Sequence, residues 1–255
     1  MRQLTTISLF TSLLLCGALH AQEEIRTGTD NSMTGHTKAV HASRFLDLAT
    51  LNLNVLIADP PAQNSTITDS ELRELHAIES HRTNAQVAAA QADDAEEDIF
   101  VYHTIFGASF TAKNLPILAA LSTDVHNEES VASVPLKTVF SRPRPYQADK
   151  TLHPVCKLTE ASNSYPSGHT LSGYLEGYTL AELIPSRRDE ILARTDDYAH
   201  NRLVCGVHYA SDLAAGRQLA AVLFGSLMSN PAFRQRLDAA REELHAKFPT
   251  AVASR

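Results

Sequence analysis

The sequence predicts an all-α protein, a single-domain bundle of packed helices, on three observations. Apolar residues recur at helical spacing along most of the chain, Pro or Gly marks the connections, and no window sustains the alternation of a half-buried strand. With 255 residues, 44% of them hydrophobic, the chain is long enough to bury one substantial core.

Taken in order, the first residues have the layout of an export signal. Arg2 supplies a positive start, residues 4–15 are an apolar stretch too short for a stable anchor, and Ala18-Leu19-His20-Ala21 offers small residues for cleavage. Residues 1–21 are therefore expected to be a signal peptide, cleaved after Ala21, and the mature protein to be periplasmic or secreted. Lipid anchoring through Cys16 is the alternative, although Leu15 suits it poorly. Residues 22–60 read as an N-terminal arm, partly disordered: 22–43 are polar without a period, and the apolar run 45–57 ends at Asp59-Pro60-Pro61.

The helical domain is expected over 61–250. From Thr68 the pattern becomes helical, with Thr68 and Glu71 placed as a capping box and Leu72, Leu75 and Ile78 on one face before an alanine-rich stretch to Ala95. Further helices are expected at 97–108, 115–127, 130–140, 168–184, 187–203, 208–228 and 231–247. Between them, 142–166 is the longest irregular stretch of the domain, and long loops inside compact domains are often functional.

The formal charge of -7 argues against a protein that coats nucleic acid, which needs a broad basic field. After the N-terminus no apolar run reaches the roughly 18 residues of a membrane span. Any anion site must be local. Such a place is 137–150, where Lys137, Arg142, Arg144 and Lys150 face a single acid, Asp149. Arg144 can grip two phosphate oxygens through its planar fork, and Lys137 adds a point charge. Taken alone, the cluster also fits a solvated basic loop.

A second cluster is Tyr165-Pro166-Ser167-Gly168-His169, ahead of a helical run. Pro and Ser suit a helix start, Gly lets a ligand approach the backbone, and free N–H groups with the helix dipole attract an anion. The bland alternative is a capped helix with a surface histidine. A third cluster is Asn201-Arg202, then His208 and Asp212. Four apart on a helix, Asp212 can hold one ring nitrogen of His208 as a donor and leave the other bare as a nucleophile, unless the two form only a surface ion pair.

In order and spacing, these clusters resemble the signature of the type 2 phosphatidic acid phosphatase superfamily, which also contains vanadium haloperoxidases. That signature reads Lys, six residues, Arg-Pro; Pro-Ser-Gly-His; and Ser-Arg, five residues, His, three residues, Asp. The matches are Lys137, Arg144 and Pro145; Pro166 to His169; and Arg202, His208 and Asp212. Asn201 departs from the family Ser. The wording of Ser141-Arg142-Pro143-Arg144-Pro145-Tyr146, Ser164 to Thr170 and Val204-Cys205-Gly206-Val207-His208 is similar to class A bacterial non-specific acid phosphatases, over about residues 55–230.

The resemblance implies a fold of the acid phosphatase/vanadium haloperoxidase type. It implies a phosphoric monoester hydrolase of broad specificity with His208 as nucleophile, His169 as general acid and Asp212 as orienter. Lys137, Arg144, Ser167, the Gly168 N–H and Arg202 would bind phosphate. No metal or other cofactor is expected, because cations and N–H donors can stabilise phosphoryl transfer themselves. Small phosphorylated substrates are the expected partners, with a homodimer plausible. The competing readings are a vanadium-dependent haloperoxidase and a non-catalytic phosphate-binding helical protein. A His-carboxylate metal site would have to coexist with Lys137, Arg144 and Arg202, which repel a divalent ion. Cys156 and Cys205 remain after signal removal, either as a disulfide or as separate thiols.

Overall fold

A computed structural model describes residues 42–249; the predicted signal peptide and the first part of the arm lie outside the described residues. Among the described residues every regular element is helical. The long helices are α1 (Thr66–His81), α2 (Asn84–Ala95), α3 (Pro116–Phe140), α4 (Gly168–Leu183), α5 (Arg188–Val204), α6 (Ala210–Ser229) and α7 (Pro231–Lys247).

Helix α4 is the central strut. It packs against α3, α5 and α6, while α2 lies on α5 and α7 on α3 and α6. Its burial explains its composition: Leu171, Leu175, Leu180 and Leu183 fill the core, and glycines sit where a neighbour comes closest. A Cβ at Gly177 would stand 2.3 Å from Thr195 Oγ1, and one at Gly216 of α6 would stand 2.8 Å from the Ser167 carbonyl oxygen. These small residues set how tightly α4 seats against α5 and α6. No helix among the described residues is long and apolar enough to cross a membrane.

Several boundaries differ from the sequence reading, each for a local reason. The run 68–95 is two helices. Thr83 accepts from Gln86 N, and the Gln86 side chain accepts from Thr83 N, so a complete capping box restarts the chain after Arg82. The cap of α1 is Ser65, whose hydroxyl accepts from Thr68 N, so Thr68 and Glu71 are not the capping box. The expected helix 97–108 is a 3₁₀ turn, Ile99–Tyr102, followed by one short turn, His103–Phe106.

Conversely, 115–127 and 130–140 are one helix, α3, which runs through Glu128-Glu129-Ser130 and Pro135. The polar triplet is buried, not a break. Glu128 faces the preceding chain, where Arg44 N and Phe45 N donate to its Oε1 at 2.6 and 3.2 Å. Residues 42–60 of the expected arm thus lie against α3, and Leu46, Leu53 and Ile57 join the core. The last helix but one starts at Ala210, with Tyr209 as its N-cap, so His208 precedes the helix instead of opening it.

Candidate active site

The site is assembled where the end of α3, the start of α4 and the α5–α6 junction meet. Lys137 stands in the last turn of α3, and its Nζ donates to the carbonyls of Asn163 (2.7 Å) and Pro166 (2.6 Å). Ser164 N donates to the Arg142 carbonyl at 3.0 Å, which lays the two ends of the long loop side by side. Arg144 is thereby brought inward. Its Nε donates to Asn163 Oδ1 at 2.9 Å and its Nη1 to the Val207 carbonyl at 3.0 Å. Burial pulls its pKa down to about 10, so the guanidinium stays charged at neutral pH.

Ser167 caps α4: its hydroxyl accepts from Thr170 N at 3.3 Å, and its own N–H donates to the Asp212 carbonyl at 3.1 Å. That second bond couples the second motif to the third. The N–H groups of Gly168 and His169 stand at the first turn, where no intrahelical acceptor exists. The backbone at Gly168 is closely approached: a Cβ there would stand 3.0 Å from Glu129 Oε1 and 3.6 Å from Lys137 Cε.

Arg202, in the last turn of α5, is only 3% exposed, and its Nη1 donates to Asp94 Oδ1 at 2.6 Å. Its Nε is buried and has no hydrogen-bond partner among the described residues. A buried donor left unmade costs about 1–3 kcal/mol, more when charged, and an oxyanion beside Arg202 would remove that cost. Burial alone would raise the Asp94 pKa, but the Arg202 charge and the Lys157 N–H outweigh it and hold the carboxyl below its ordinary value.

His208 is buried with its two nitrogens differentiated. Nδ1 lies 3.1 Å from Asp212 Oδ2, and Nε2 lies 3.2 Å from Arg144 Nη1. A guanidinium is only a donor and an ionised carboxylate only an acceptor, so these partners select the tautomer with the proton on Nδ1 and a bare Nε2. Burial is the main cause that pushes the His208 pKa well below the ordinary value, followed by the charges of Arg144, Lys137, Arg202 and His169. All three motifs therefore act on one imidazole.

Asp212 is fully buried and holds more than His208. Oδ1 accepts from Arg142 Nη1 at 2.6 Å; Oδ2 accepts from Ser164 Oγ at 2.5 Å and Tyr209 N at 2.9 Å. The predicted pairing of His208 with Asp212 exists, but not on one helix face: Asp212 reaches back from the first turn of α6, where it also accepts from the Tyr209 N–H. Arg142 was counted with the anion-facing charges, yet it turns away, to Asp212 and to Glu71 Oε2 at 3.0 Å, with its guanidinium 3.9 Å from the Tyr209 ring centroid.

His169 stands in the first turn of α4, near Arg202. Its Nδ1 is 2.9 Å from Glu97 Oε1, its Nε2 faces the Asp94 carbonyl at 3.4 Å, and its ring stacks on Tyr198. Burial and Arg202 lower its pKa, while Glu97 and Asp94 pull the other way. Asn201, the departure from the signature, points to the α2 clamp, where its Nδ2 donates to Asp93 Oδ2 at 2.7 Å beside the Arg194 ion pair.

Sequence reading missed the roles of Asn163, Ser164, Asp94 and Glu97, and gave Arg142 a different one. Asp94 and Glu97 sit in an acidic run, 93–98, that looks like a solvated helix end. His126 of α3 has its Nε2 3.6 Å from Glu97 Oε2. Glu97, His126 and Glu129 bring one donor atom each within 4.8 Å of one another, and Glu97 already serves both His126 and His169. The other His/Cys/Asp/Glu grouping, Asp94 with Cys156 and Cys205, offers no thiolates, because the cysteines form a disulfide. The hydroxyls of Tyr146 and Tyr165 donate to the carbonyls of Thr159 (2.9 Å) and Ala58 (2.5 Å), so each ties one segment to another.

Comparison with known proteins agrees with this geometry. Residues 117–236 match the family model described as the PAP2 superfamily. A non-specific acid phosphatase of Providencia stuartii is 30% identical over 74% of this chain and 79% of its own length. The non-specific acid phosphatase of Salmonella typhimurium is 34% identical over 63% of this chain, and the match spans 66% of that relative. An acid phosphatase of Zymomonas mobilis is 28% identical over 86% of this chain and 85% of its own. The chain belongs to the PAP2 superfamily, among its acid phosphatases.

Proposed function

We propose that this protein is an exported phosphatase that hydrolyses phosphomonoesters through a phosphohistidine on His208, without a metal ion. The observation that carries the reading is His208 itself: a buried neutral imidazole with Nδ1 fixed by Asp212 and Nε2 directed at the Arg144 fork. Phosphoryl oxygens bridged between Arg144, Arg202 and Lys137 would place phosphorus before that nitrogen. The unpartnered Arg202 Nε supports this position for the anion.

In the first half-reaction Nε2 of His208 attacks phosphorus, the P–O bond to the leaving group breaks, and His169 gives its Nε2 proton to the departing oxygen. The positive ring formed on His208 is stabilised by Asp212. In the second, neutral His169 takes a proton from water as the hydroxide cleaves the P–N bond, releasing phosphate and restoring His208. Fixed cations neutralise the charge on the equatorial oxygens, the part a divalent ion plays in other phosphoryl transferases. Export is supported by the N-terminal leader and by the Cys156–Cys205 disulfide, a bond suited to an oxidising compartment.

Both pKa directions favour acidic pH. A His208 pKa held well below 6.5 keeps the nucleophile neutral far into acid, and a lowered His169 pKa means the acid loses its proton early as pH rises. The test is hydrolysis of a chromogenic phosphomonoester across pH. The reading expects kcat/KM to fall as pH rises above a pKa lying below the ordinary histidine value. It also expects activity to survive a strong chelator and vanadate to inhibit. A kcat/KM that climbs steadily into alkali, or loss of activity with chelator that added metal restores, would remove it.

A further inference from the structure

Within the acidic run 93–98, Glu97 and the Asp94 carbonyl turn toward His169. Glu97 follows the end of α2 outside any helix, and its carboxylate lies between two imidazoles: His169 Nδ1 of α4 at 2.9 Å from Oε1, and His126 Nε2 of α3 at 3.6 Å from Oε2. Ser172, one turn along α4 from His169, secures the arrangement. Its hydroxyl donates to the Glu97 carbonyl at 3.4 Å and lies 3.3 Å from His126 Nδ1. Glu97, His126 and Ser172 all lie outside the three motifs.

We propose that Glu97 is the positioning residue of His169, held in place by His126 and Ser172, and that it decides which nitrogen of His169 transfers the proton. This rests on the reading of His169 as general acid. With Nδ1–H committed to Glu97, the proton the imidazolium can release is the one on Nε2, which faces the Asp94 carbonyl at 3.4 Å until a leaving oxygen takes that carbonyl's place. That proton goes to the leaving oxygen as the P–O bond breaks, and the Nδ1 proton stays with the ring. The neutral ring left behind keeps its proton on Nδ1, so the bare Nε2 is ready to take a proton from water. One contact thus prepares His169 for both half-reactions, the orienting role that Asp212 has for His208.

The charges acting on His169 are Arg202 from α5, Asp94 from the end of α2, and Glu97. Glu97 in turn faces His126 and Glu129 of α3. Removing the Glu97 charge leaves Arg202 less opposed, so His169 should lose its proton at still lower pH.

The experiment compares Glu97→Gln with His169→Asn on two substrates: p-nitrophenyl phosphate, whose phenolate departs without a proton, and glycerol phosphate, whose alkoxide needs one. Both variants are expected to lose at least about 10-fold more kcat/KM on the alkyl than on the aryl ester, within the usual worth of a general acid. For Glu97→Gln the alkaline limb of kcat/KM should move to lower pH while inhibition by inorganic phosphate stays unchanged. His126→Asn should shift the same ratio in the same direction, by less. Should Glu97→Gln fail to fold, Glu97→Asp, which keeps the charge at shorter reach, and His126→Asn supply the ratio. Equal losses on both esters with an unmoved limb, while His169→Asn still discriminates, would overturn the role of Glu97 alone. No discrimination by His169→Asn would overturn the general-acid reading beneath it.

Discussion

One buried carboxylate, Asp212, takes hydrogen bonds from Arg142, Ser164 and the Tyr209 N–H as well as from His208. Two of its tasks can be separated by substitution. Asp212→Asn removes the charge that balances the imidazolium and should lower kcat by up to about 10,000-fold, the scale seen when an orienting carboxylate is neutralised. Arg142→Gln leaves Glu71 and Asp212 buried without their shared cation, and breaking a buried pair costs about 3–5 kcal/mol. Urea unfolding should therefore show the larger loss for Arg142→Gln. Turnover near the natural rate in Asp212→Asn, from enzyme that is fully folded, would remove the orienting role. At this scale the motif residues were legible because each stands in a short contiguous string. Asp94 and Glu97 were not: nothing local distinguishes a carboxylate aimed at Arg202 or His169 from one in water.

Elements carry these residues to one another through close approaches that side-chain patterning reports poorly. Helix α6 reaches the site because Gly216 lets it lie against the Ser167 carbonyl and Leu171 N, and backbone atoms cannot step aside. Gly216→Ala should destabilise by about 1–3 kcal/mol, as overpacking does. It should also raise the inhibition constant for phosphate, because Ser167 and Asp212 are joined by the bond it disturbs. Denaturant titration and phosphate inhibition measure the two effects; a stable variant with unchanged phosphate inhibition would contradict this packing argument. Helices α4, α5 and α7 were legible to within a residue or two, since their patterns are long and their caps or prolines plain. The split after α1 was missed because Ala85 and Val87 continue the helical, alanine-rich pattern across the restart at Thr83 and Gln86. The unity of α3 was missed because Glu128-Glu129-Ser130 resemble a surface break, whereas long-range partners such as Arg44 N and Phe45 N make their burial possible.

Across the whole molecule, the long loop bearing Arg144 is fastened at its far side by Cys156–Cys205, whose Cα atoms are 5.2 Å apart at a sequence separation of 49. Neighbouring bonds run in parallel: Val155 N donates to the Cys205 carbonyl at 3.0 Å and Gln91 Nε2 to the Val155 carbonyl at 2.7 Å. Pairing could not be read from the sequence, because two cysteines fix no distance until α2, α5 and the loop converge. A closed loop of this length contributes about 4 kcal/mol in the chain-entropy model. The variant Cys156→Ser with Cys205→Ser should accordingly unfold at lower denaturant. An unchanged midpoint would contradict the fastening role.

The central claim is the phosphohistidine on His208, and a trapped intermediate tests it most directly. Enzyme turning over a ³²P-labelled monoester is quenched, and the protein-bound label is exposed separately to mild acid and to base. The account expects label that is lost in acid, survives base and disappears in His208→Ala. An acid-stable, base-labile label, mapping to Ser167 and persisting in His208→Ala, would contradict it.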